Sequence, residues 1–479
     1  MATTAPPALE RPLCVDLDGT LVKSDTLVDS LLLLIRTHPR DALRTPLWAL
    51  RGKANLKREV TARVSLNVEH LPYNRPLLEY LMAQRGAGRK LYLATGADAA
   101  LARRVAHHLG IFDDVLASDG ETNLTGSHKL TDLQSRFSGQ FDYIGNAHPD
   151  LPLLSAAGTP MLANPNLWLR MALRSKGLKT EHTFTDHAGN LRVFIRAIRV
   201  HQWAKNSLIF LPLLLAHRLD ARALLAAVIA FVCFSLCASA TYIVNDLLDI
   251  EADRQHPRKR TRAFASGNLS AASGIGISAA FLAASFTAAV LLLPLSFVAW
   301  LTLYLVITLG YSLALKRIVI LDVLVLSALY TLRLLAGAAA TATYISPWLA
   351  AFSIFIFLSL AMVKRFSELQ NVRDAGSQIA NGRGYLLNDI EQVRSFGTSS
   401  AFASVVVFSV YIGQPDVLGL YHHHQRMWLM PPLMILWLCR VWLLASRGEL
   451  DEDPVVFALT DKMSLLMGLG AVLIALASL

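Results

Sequence analysis

The sequence predicts two structural classes in series: an α/β soluble domain over residues 11–180 and an all-α polytopic membrane domain over 193–479. Three observations carry this. The chain is 54% hydrophobic and only 17% charged over 479 residues, yet its polar residues are concentrated before about Val193. Beyond Val193, apolar runs of bilayer length follow one another, about nine of them. Before it, short apolar runs that stop at Asp, Thr, Gly or Asn alternate with stretches of helical periodicity, the pattern of strands and helices in an α/β sheet. Residues 1–10 read as a flexible N-terminus and 181–192 as a linker.

In the first domain, Leu13-Cys14-Val15-Asp16-Leu17-Asp18-Gly19-Thr20-Leu21 is a buried strand ending in two carboxylates and a turn. Alternation along a strand points Asp16 and Asp18 the same way. One carboxylate can attack phosphorus while the other manages a proton, with Mg²⁺ offsetting their repulsion. A second strand, Lys90 to Gly96, ends near the hydroxyl of Thr95, Lys129 follows a turn-rich stretch, and a third strand, Phe141 to Gly145, precedes Asn146 and Asp150. Helical periodicity without a strong strand marks residues 26–85 as an inserted cap.

That order of motifs resembles the haloacid dehalogenase (HAD) phosphatase superfamily over about residues 11–175. The resemblance implies a Rossmannoid fold, with Asp16 as nucleophile and Asp18 as general acid/base. It also implies that Thr95 and Lys129 hold phosphate and that Asp150, with the first two aspartates, holds Mg²⁺. One departure stands out: the last motif usually begins Gly-Asp and here reads Gly145-Asn146, a weaker Mg²⁺ ligand. A degenerate phosphatase kept as a folded binding or regulatory module is the competing expectation.

The net charge of +10 lies largely in loops that flank apolar helices, which favours membrane orientation and phosphate binding over nucleic acid. Cys14, Cys233, Cys237 and Cys439 have neither zinc-site spacing nor a disulfide framework. The polar start carries no cleavable-signal pattern.

Spans are expected near 205–218, 222–244, 271–290, 292–312, 321–342, 346–363, 397–413, 427–445 and 463–479. Lys and Arg gather in alternate loops, so the positive-inside rule puts the soluble domain and those loops in the cytoplasm, at a plasma or inner membrane. The loop after the second span reads Asn245-Asp246-Leu247-Leu248-Asp249-Ile250-Glu251-Ala252-Asp253-Arg254 and continues through Lys259 to Arg262. Asp246, Asp249 and Asp253, at i, i+3 and i+7, share one helical face. Three such carboxylates repel unless a cation lies among them, and hard oxygens suit Mg²⁺ with positions left for substrate phosphates. The basic residues after them are partners for phosphate oxygens. Other polar groups near the same level are Lys205, Lys316, Asp322, Lys364 and Arg365, with Arg333 inside a span, where an ionised side chain marks function.

Nine spans, the NDxxDxxxD motif and a second Asp after a YSxxLK stretch resemble the UbiA superfamily of intramembrane prenyltransferases. The stretches RxxQWxKN at 199–206 and NDxxDxxxDRxHPxKxxR at 245–262 are most similar to its decaprenyl-phosphate phosphoribosyltransferase branch. The resemblance implies transfer of 5-phosphoribose from phosphoribosyl pyrophosphate (PRPP) to a polyprenyl phosphate, a cell-wall precursor lipid, among membrane lipids. Mg²⁺ at Asp246, Asp249 and Asp253, with Asn245 beside it, would hold the donor's pyrophosphate. Arg254, Lys259 and Arg262 would neutralise it. Lys205, Lys316, Arg333, Lys364 and Arg365 are then candidates for the acceptor phosphate and the ribose 5-phosphate, and Asp322 for a ribose hydroxyl or for orienting a cation. Two departures accompany the match: Asp322 is followed by Leu326 rather than a second Asp, and Arg262 by Ala263 rather than Pro. A tethered phosphatase could then remove the product's 5-phosphate at high effective concentration. The alternative is transfer of an isoprenyl group from its diphosphate to an aromatic acceptor, with a non-catalytic HAD module; a transporter lacks support from any repeat or broken-helix pair. His422-His423-His424 reads as a solvated loop, and a homo-oligomer is left open.

Overall fold

The computed structural model describes residues 11–186, 191–218, 220–374, 384–450 and 454–479. The expected flexible segment 1–10 lies outside the described residues, as does part of the expected linker, 187–190. The chain divides into two compact units, Met1–Ile198 with Tyr242–Ile277, and Arg199–Thr241 with Ser278–Leu479.

The first unit is built on a six-stranded parallel sheet in the order β3-β2-β1-β4-β5-β6. Its strands are β1 (Leu13–Val15), β2 (Leu91–Asp98), β3 (Asp114–Ser118), β4 (Asp142–Gly145), β5 (Pro160–Ala163) and β6 (Thr183–Phe184). β1 sits between β2 and β4, with Leu13 opposite both Leu91 and Asp142. Both faces are covered, which is why these strands read as near-continuous apolar runs. Leu13, Val15, Leu91, Leu93 and Ile144 pack with Leu77, Leu81 and Leu101 on one face. Cys14, Tyr143 and Leu162 pack with Leu133, Leu153 and Leu169 on the other. The sheet runs past residue 180, so the expected linker holds a paired edge strand, β6.

Between β1 and β2 come α1 (Thr26–Thr37), α2 (Pro39–Ala42), α3 (Thr45–Leu50), α4 (Lys53–Thr61) and α5 (Arg75–Gly86). Asp25 caps α1 by accepting from the Leu27 and Val28 amides. The cap is narrower than expected. Leu34, Trp48, Val60 and Val64 make a small core of their own, while Leu77 and Leu81 of α5 belong to the sheet's core. The remaining helices of the sheet layers are α6 (Ala99–Leu109), α7 (Ser127–Arg136), α8 (Leu151–Ala156) and α9 (Leu167–Ser175), followed by α10 (Leu191–Ala197).

Among the described residues, seven helices are long and apolar enough to cross a membrane, against nine expected spans. They include α12 (Ala221–Leu248), α14 (Ala271–Leu292), α15 (Leu295–Leu313), α16 (Leu321–Thr341) and α17 (Pro347–Asp374). Leu387–Ile412, containing α18 (Ile390–Ile412), and His424–Ser446 complete the set. The last expected span is the shorter helix Lys462–Ser478, of 17 residues, about 25 Å long at the α-helical rise. The first, near 205–218, is instead a 3₁₀ run, Val200–Phe210, followed by the short α11 (Leu211–Leu215). The tighter run crosses α16 at Gly337, where a Cβ would fall 2.1 Å from the Ile209 carbonyl oxygen. Hydroxyls inside the helical unit are satisfied by neighbouring helices, as a lipid solvent requires. Ser285 donates to the Cys233 carbonyl at 2.6 Å and Ser327 to that of Ile354 at 2.6 Å.

Candidate functional site

The first site forms where β1, β2 and β4 end, the edge of an open parallel sheet at which ligands bind. Gly19 turns the chain with φ +73°, and a Cβ there would meet the Asn146 side-chain nitrogen at 2.0 Å. Only glycine allows Asn146 to lie against the aspartate loop. Lys129 Nζ donates to Asp16 Oδ1 at 2.8 Å and to the Tyr143 hydroxyl at 3.0 Å, and Tyr143 donates to Asp150 Oδ1 at 2.9 Å. Asp18 Oδ1 accepts from the Thr26 amide at 2.8 Å, which ties this aspartate to the first turn of the cap.

Burial governs the charges here. It raises the Asp16 carboxyl to about 6 against the pull of Lys129, and raises Asp18 to about 7, with Asp25 adding to the rise. Burial works to lower Lys129, but Asp16 and Asp150 beside it prevail and its pKa is raised. Two clustered carboxylates with a hard-oxygen donor set suit Mg²⁺, and Lys129 alone does not neutralise them. Asp150, expected to support Mg²⁺, lies behind Lys129 and Tyr143, 3.9 Å from Lys129 Nζ. Its Oδ2 accepts from the Asn146 and Ala147 amides at 3.1 and 3.2 Å, so both its oxygens are committed to the protein. The Asn146 side-chain amide is the group that abuts the aspartate loop. Thr95 is fully buried and accepts from the Ala97 amide at 3.0 Å.

Two residues of this site escaped sequence reasoning. Tyr143 bridges Lys129 and Asp150; its alternation with Ile144 on β4 turns it to the Cys14 face. Lys57, from α4, donates to the Gly96 carbonyl and to Asn123 Oδ1 at 2.9 Å; burial lowers its pKa against the attraction of Asp18 and Asp25. Only the pairing of cap and sheet brings it there.

The second site belongs to the same compact unit. α12 ends at Leu248, Asp249 breaks it with φ −96° and ψ 4°, and α13 (Ile250–Gln255) resumes. Arg262 draws Asp246 and Asp253 together, its NH1 nitrogen 3.2 Å from one carboxylate and 2.7 Å from the other. Asp249 pairs with Arg36 of α1 at 3.1 Å. Two of the three expected carboxylates therefore converge on one cation. Burial raises the Asp253 carboxyl, with Asp246 adding to the rise, against the opposing pull of Arg262 and Lys259. Among the described residues no group of three or more His, Cys, Asp or Glu forms a metal-ligand set. Mg²⁺ does not need one, since it is usually held by one or two carboxylates plus substrate phosphates. Asp246 and Asp253, with half-buried Asn245, fit that pattern.

Arg254, expected beside the pyrophosphate, is tied into the protein. It is 3% exposed, pairs with Asp29 at 2.8 Å, and donates to Ser24 Oγ and the Ala265 carbonyl. In the helical unit, Arg365 Nε donates to Asp322 Oδ2 at 2.6 Å, and Arg365 also bonds Glu368 and the Tyr311 hydroxyl. Tyr385 donates to Asp322 Oδ1 at 2.6 Å. Asp322 thus lies between a cation and a phenol. Arg333 donates to Asn206 Oδ1 and the Leu329 carbonyl, and lies 5.1–5.4 Å from the rings of Phe234, Tyr304 and Tyr330. Lys205 stands 5.8 Å over Tyr330, while Lys316 and Lys364 are half-buried. His422, His423 and His424 are exposed.

The first unit thus has a six-stranded parallel sheet with the paired aspartates at its central edge, and an apolar helix of membrane length carries an NDxxDxxxD motif; together they define a membrane protein with an α/β domain ahead of its spans. Residues 207–467 match the UbiA prenyltransferase family, and the chain belongs to it. It is 39% identical over 460 residues to the "Uncharacterized protein y4nM" of Sinorhizobium fredii, covering 95% of this chain and 89% of that one. It is 33% identical over 243 residues to the decaprenyl-phosphate phosphoribosyltransferase of Mycobacterium tuberculosis, covering 50% of this chain and 80% of that enzyme. Among solved structures, a UbiA homolog from Archaeoglobus fulgidus bound to DMAPP and Mg²⁺ aligns with TM-score 0.45 at 15% identity, over 59% of this chain and 96% of that one. A HAD family hydrolase from Salmonella enterica aligns with TM-score 0.28 at 16% identity, over 37% and 69%.

Proposed function

We propose that this protein transfers 5-phosphoribose from PRPP to a polyprenyl phosphate, releasing pyrophosphate, and that its HAD-like domain then removes the 5-phosphate of the ribosyl lipid. The observation that carries the first step is the commitment of Asp322 to Arg365 and Tyr385. A second diphosphate clamp of the isoprenyl-transfer kind calls for carboxylates available to a second ion. The phosphoribosyltransferase named among the relatives supports the same reading.

Asp246, Asp253 and Asn245 would hold Mg²⁺ at the donor's pyrophosphate, where the ion supplies charge neutralisation. Arg262 and Lys259 add positive charge beside the departing group. The acceptor phosphate is already an anion, so it attacks the anomeric carbon without a strong base, and the protein's task is positioning. We assign Lys205, Lys316 and Lys364 to the acceptor phosphate and the 5-phosphate, and Arg333 and Arg365 to the framework that orients them. In the second step Asp16 attacks the 5-phosphate, and Asp18, holding its proton into the neutral range, protonates the leaving ribose oxygen. Water then hydrolyses the aspartyl phosphate. Asp16 and Asp18 would hold Mg²⁺ there. Both sites are assigned to the cytoplasmic face of the plasma or inner membrane.

Full-length protein in nanodiscs, given labelled PRPP, a polyprenyl phosphate and Mg²⁺, is expected to yield pyrophosphate, a labelled ribosyl lipid and then inorganic phosphate. Turnover of geranylgeranyl diphosphate with an aromatic acceptor, and none of PRPP, would sink the assignment.

A further inference from the structure

The cap carries an apolar surface that its own small core does not use. Leu43, Leu47 and Leu50 are 81%, 60% and 84% exposed, while Trp48 between them is buried. They follow α2 and line α3, and Pro46 and Ala49 beside them are exposed too. Across residues 38–53, four cations (Arg40, Arg44, Arg51 and Lys53) stand against one carboxylate, Asp41. All four cations are exposed. Bare leucines ringed by basic side chains, with no exposed acid cluster, match an interfacial segment that sinks its apolar residues below anionic headgroups.

A second, independent contact tethers the start of this segment. Arg36, in the last turn of α1, donates to the Leu248 carbonyl at 3.4 Å and pairs with Asp249 at 3.1 Å. Leu248 is the final residue of the membrane-length helix α12. All these residues fall in one compact unit. The chain from Arg36 to Leu43 reaches at most ~25 Å even fully extended. Leu43 is therefore tethered to the end of a span, with Leu47 and Leu50 one and two helical turns beyond it, on a chain that is itself a membrane protein.

We propose that α2, α3 and the turn between them form a membrane-docking surface, with Leu43, Leu47 and Leu50 inserted among the headgroups of an anionic bilayer and Arg40, Arg44, Arg51 and Lys53 on lipid phosphates. The occupant is the lipid surface of the membrane that the chain spans. Docking holds the cap, and Lys57 in the helix that follows, at the level where a lipid-linked phosphate ester emerges. The contact does not depend on which reaction either site performs.

The test uses the full chain, with exposed Cys439 replaced by Ser, in nanodiscs containing phosphatidylglycerol. An environment-sensitive fluorophore is placed at Leu43→Cys, Leu47→Cys or Leu50→Cys, and at Met82→Cys on exposed α5 as reference. Doxyl-labelled lipid is expected to quench the three cap positions several-fold more than position 82, and aqueous iodide to quench them several-fold less. Quenching by iodide equal to that at position 82 would overturn the proposal. So would shielding from iodide without quenching by doxyl lipid, which indicates a second copy or a protein partner. Unmodified protein gives a second readout: amide exchange over residues 40–53 should slow in phosphatidylglycerol nanodiscs relative to neutral phosphatidylcholine ones. Equal exchange in the two lipids would overturn the electrostatic half of the surface.

Discussion

At the scale of single residues, the first site is a chain of donors rather than a list of motif letters. Lys129 is held between Asp16 and Tyr143, and Tyr143 in turn fixes Asp150. Removing the proposed nucleophile should separate the two proposed reactions: Asp16→Asn is expected to abolish inorganic phosphate release while leaving pyrophosphate release within about twofold, because the motif at 245–262 is untouched. Chromatography of the lipid products would check this by showing the phosphorylated ribosyl lipid accumulate. Lys57 offers a finer test. A lysine that reaches the sheet edge from the cap belongs with substrate charge, so Lys57→Ala should lower phosphatase kcat/KM on the lipid-linked substrate about tenfold, or ~1.4 kcal/mol. An unaltered kcat/KM would show that its bonds to Gly96 and Asn123 serve only the fold. Arg262→Gln, at the second site, should raise the apparent KM for the donor more than it lowers kcat, since Arg262 gathers Asp246 and Asp253 before any substrate arrives.

At the scale of elements, α1 is the piece that ties the two acidic sites together within one unit. Its first residue, Thr26, holds Asp18; Asp29 in its first turn holds Arg254; Arg36 in its last turn holds Asp249. Asp29 and Arg254 are almost fully buried, and one buried oxygen of Asp29 and one nitrogen of Arg254 lack hydrogen-bond partners. Removing one member of such a pair strands a charge and typically costs ~3–5 kcal/mol, whereas replacing both with apolar residues is often neutral. Asp29→Ala should therefore lower the unfolding midpoint sharply, and Asp29→Leu combined with Arg254→Met should recover most of it. Thermal unfolding of the detergent-solubilised chain would measure both. If the double variant recovers stability but not pyrophosphate release, the ion pair sets the geometry of the 245–262 motif as well as the fold. In the helical unit, Gly337→Val should prevent close approach of the 3₁₀ run, and loss of monodisperse protein in size-exclusion chromatography is the expected sign.

At the scale of the whole molecule, the order of the proposed reactions follows from their products, since the second acts on a group that only the first places on the lipid. Inorganic phosphate should therefore appear with a lag after pyrophosphate in a single time course. Orientation belongs to this scale too. Cysteines introduced at Arg260 and at His423, both exposed, are expected to react with an impermeant thiol reagent from opposite sides of the membrane, with Arg260 reached only from the cytoplasm. Labelling of both from one side would reverse the topology drawn from the distribution of Lys and Arg.

The class of each half was legible in the sequence because it rests on local signals. Apolar runs of bilayer length, the DxDGT turn after an apolar strand, and the spacing of Asp246 and Asp253 each need only a few neighbouring residues to be read. Local signals also misled where backbone geometry intervened. The run at 205–218 has the composition of a span but folds as a tight 3₁₀ stretch against Gly337, and Asp249 finds a partner in Arg36 that its own stretch of chain does not announce. Only the tertiary structure decided which charges are spent on one another. Arg254 meets Asp29 across more than two hundred residues, Arg365 meets Asp322, and Lys57 crosses from cap to sheet. The physical reason is that a buried charge is tolerated only beside its compensating partner. That partner is chosen by which surfaces pack together, and no periodicity or motif in a single stretch of chain encodes the choice.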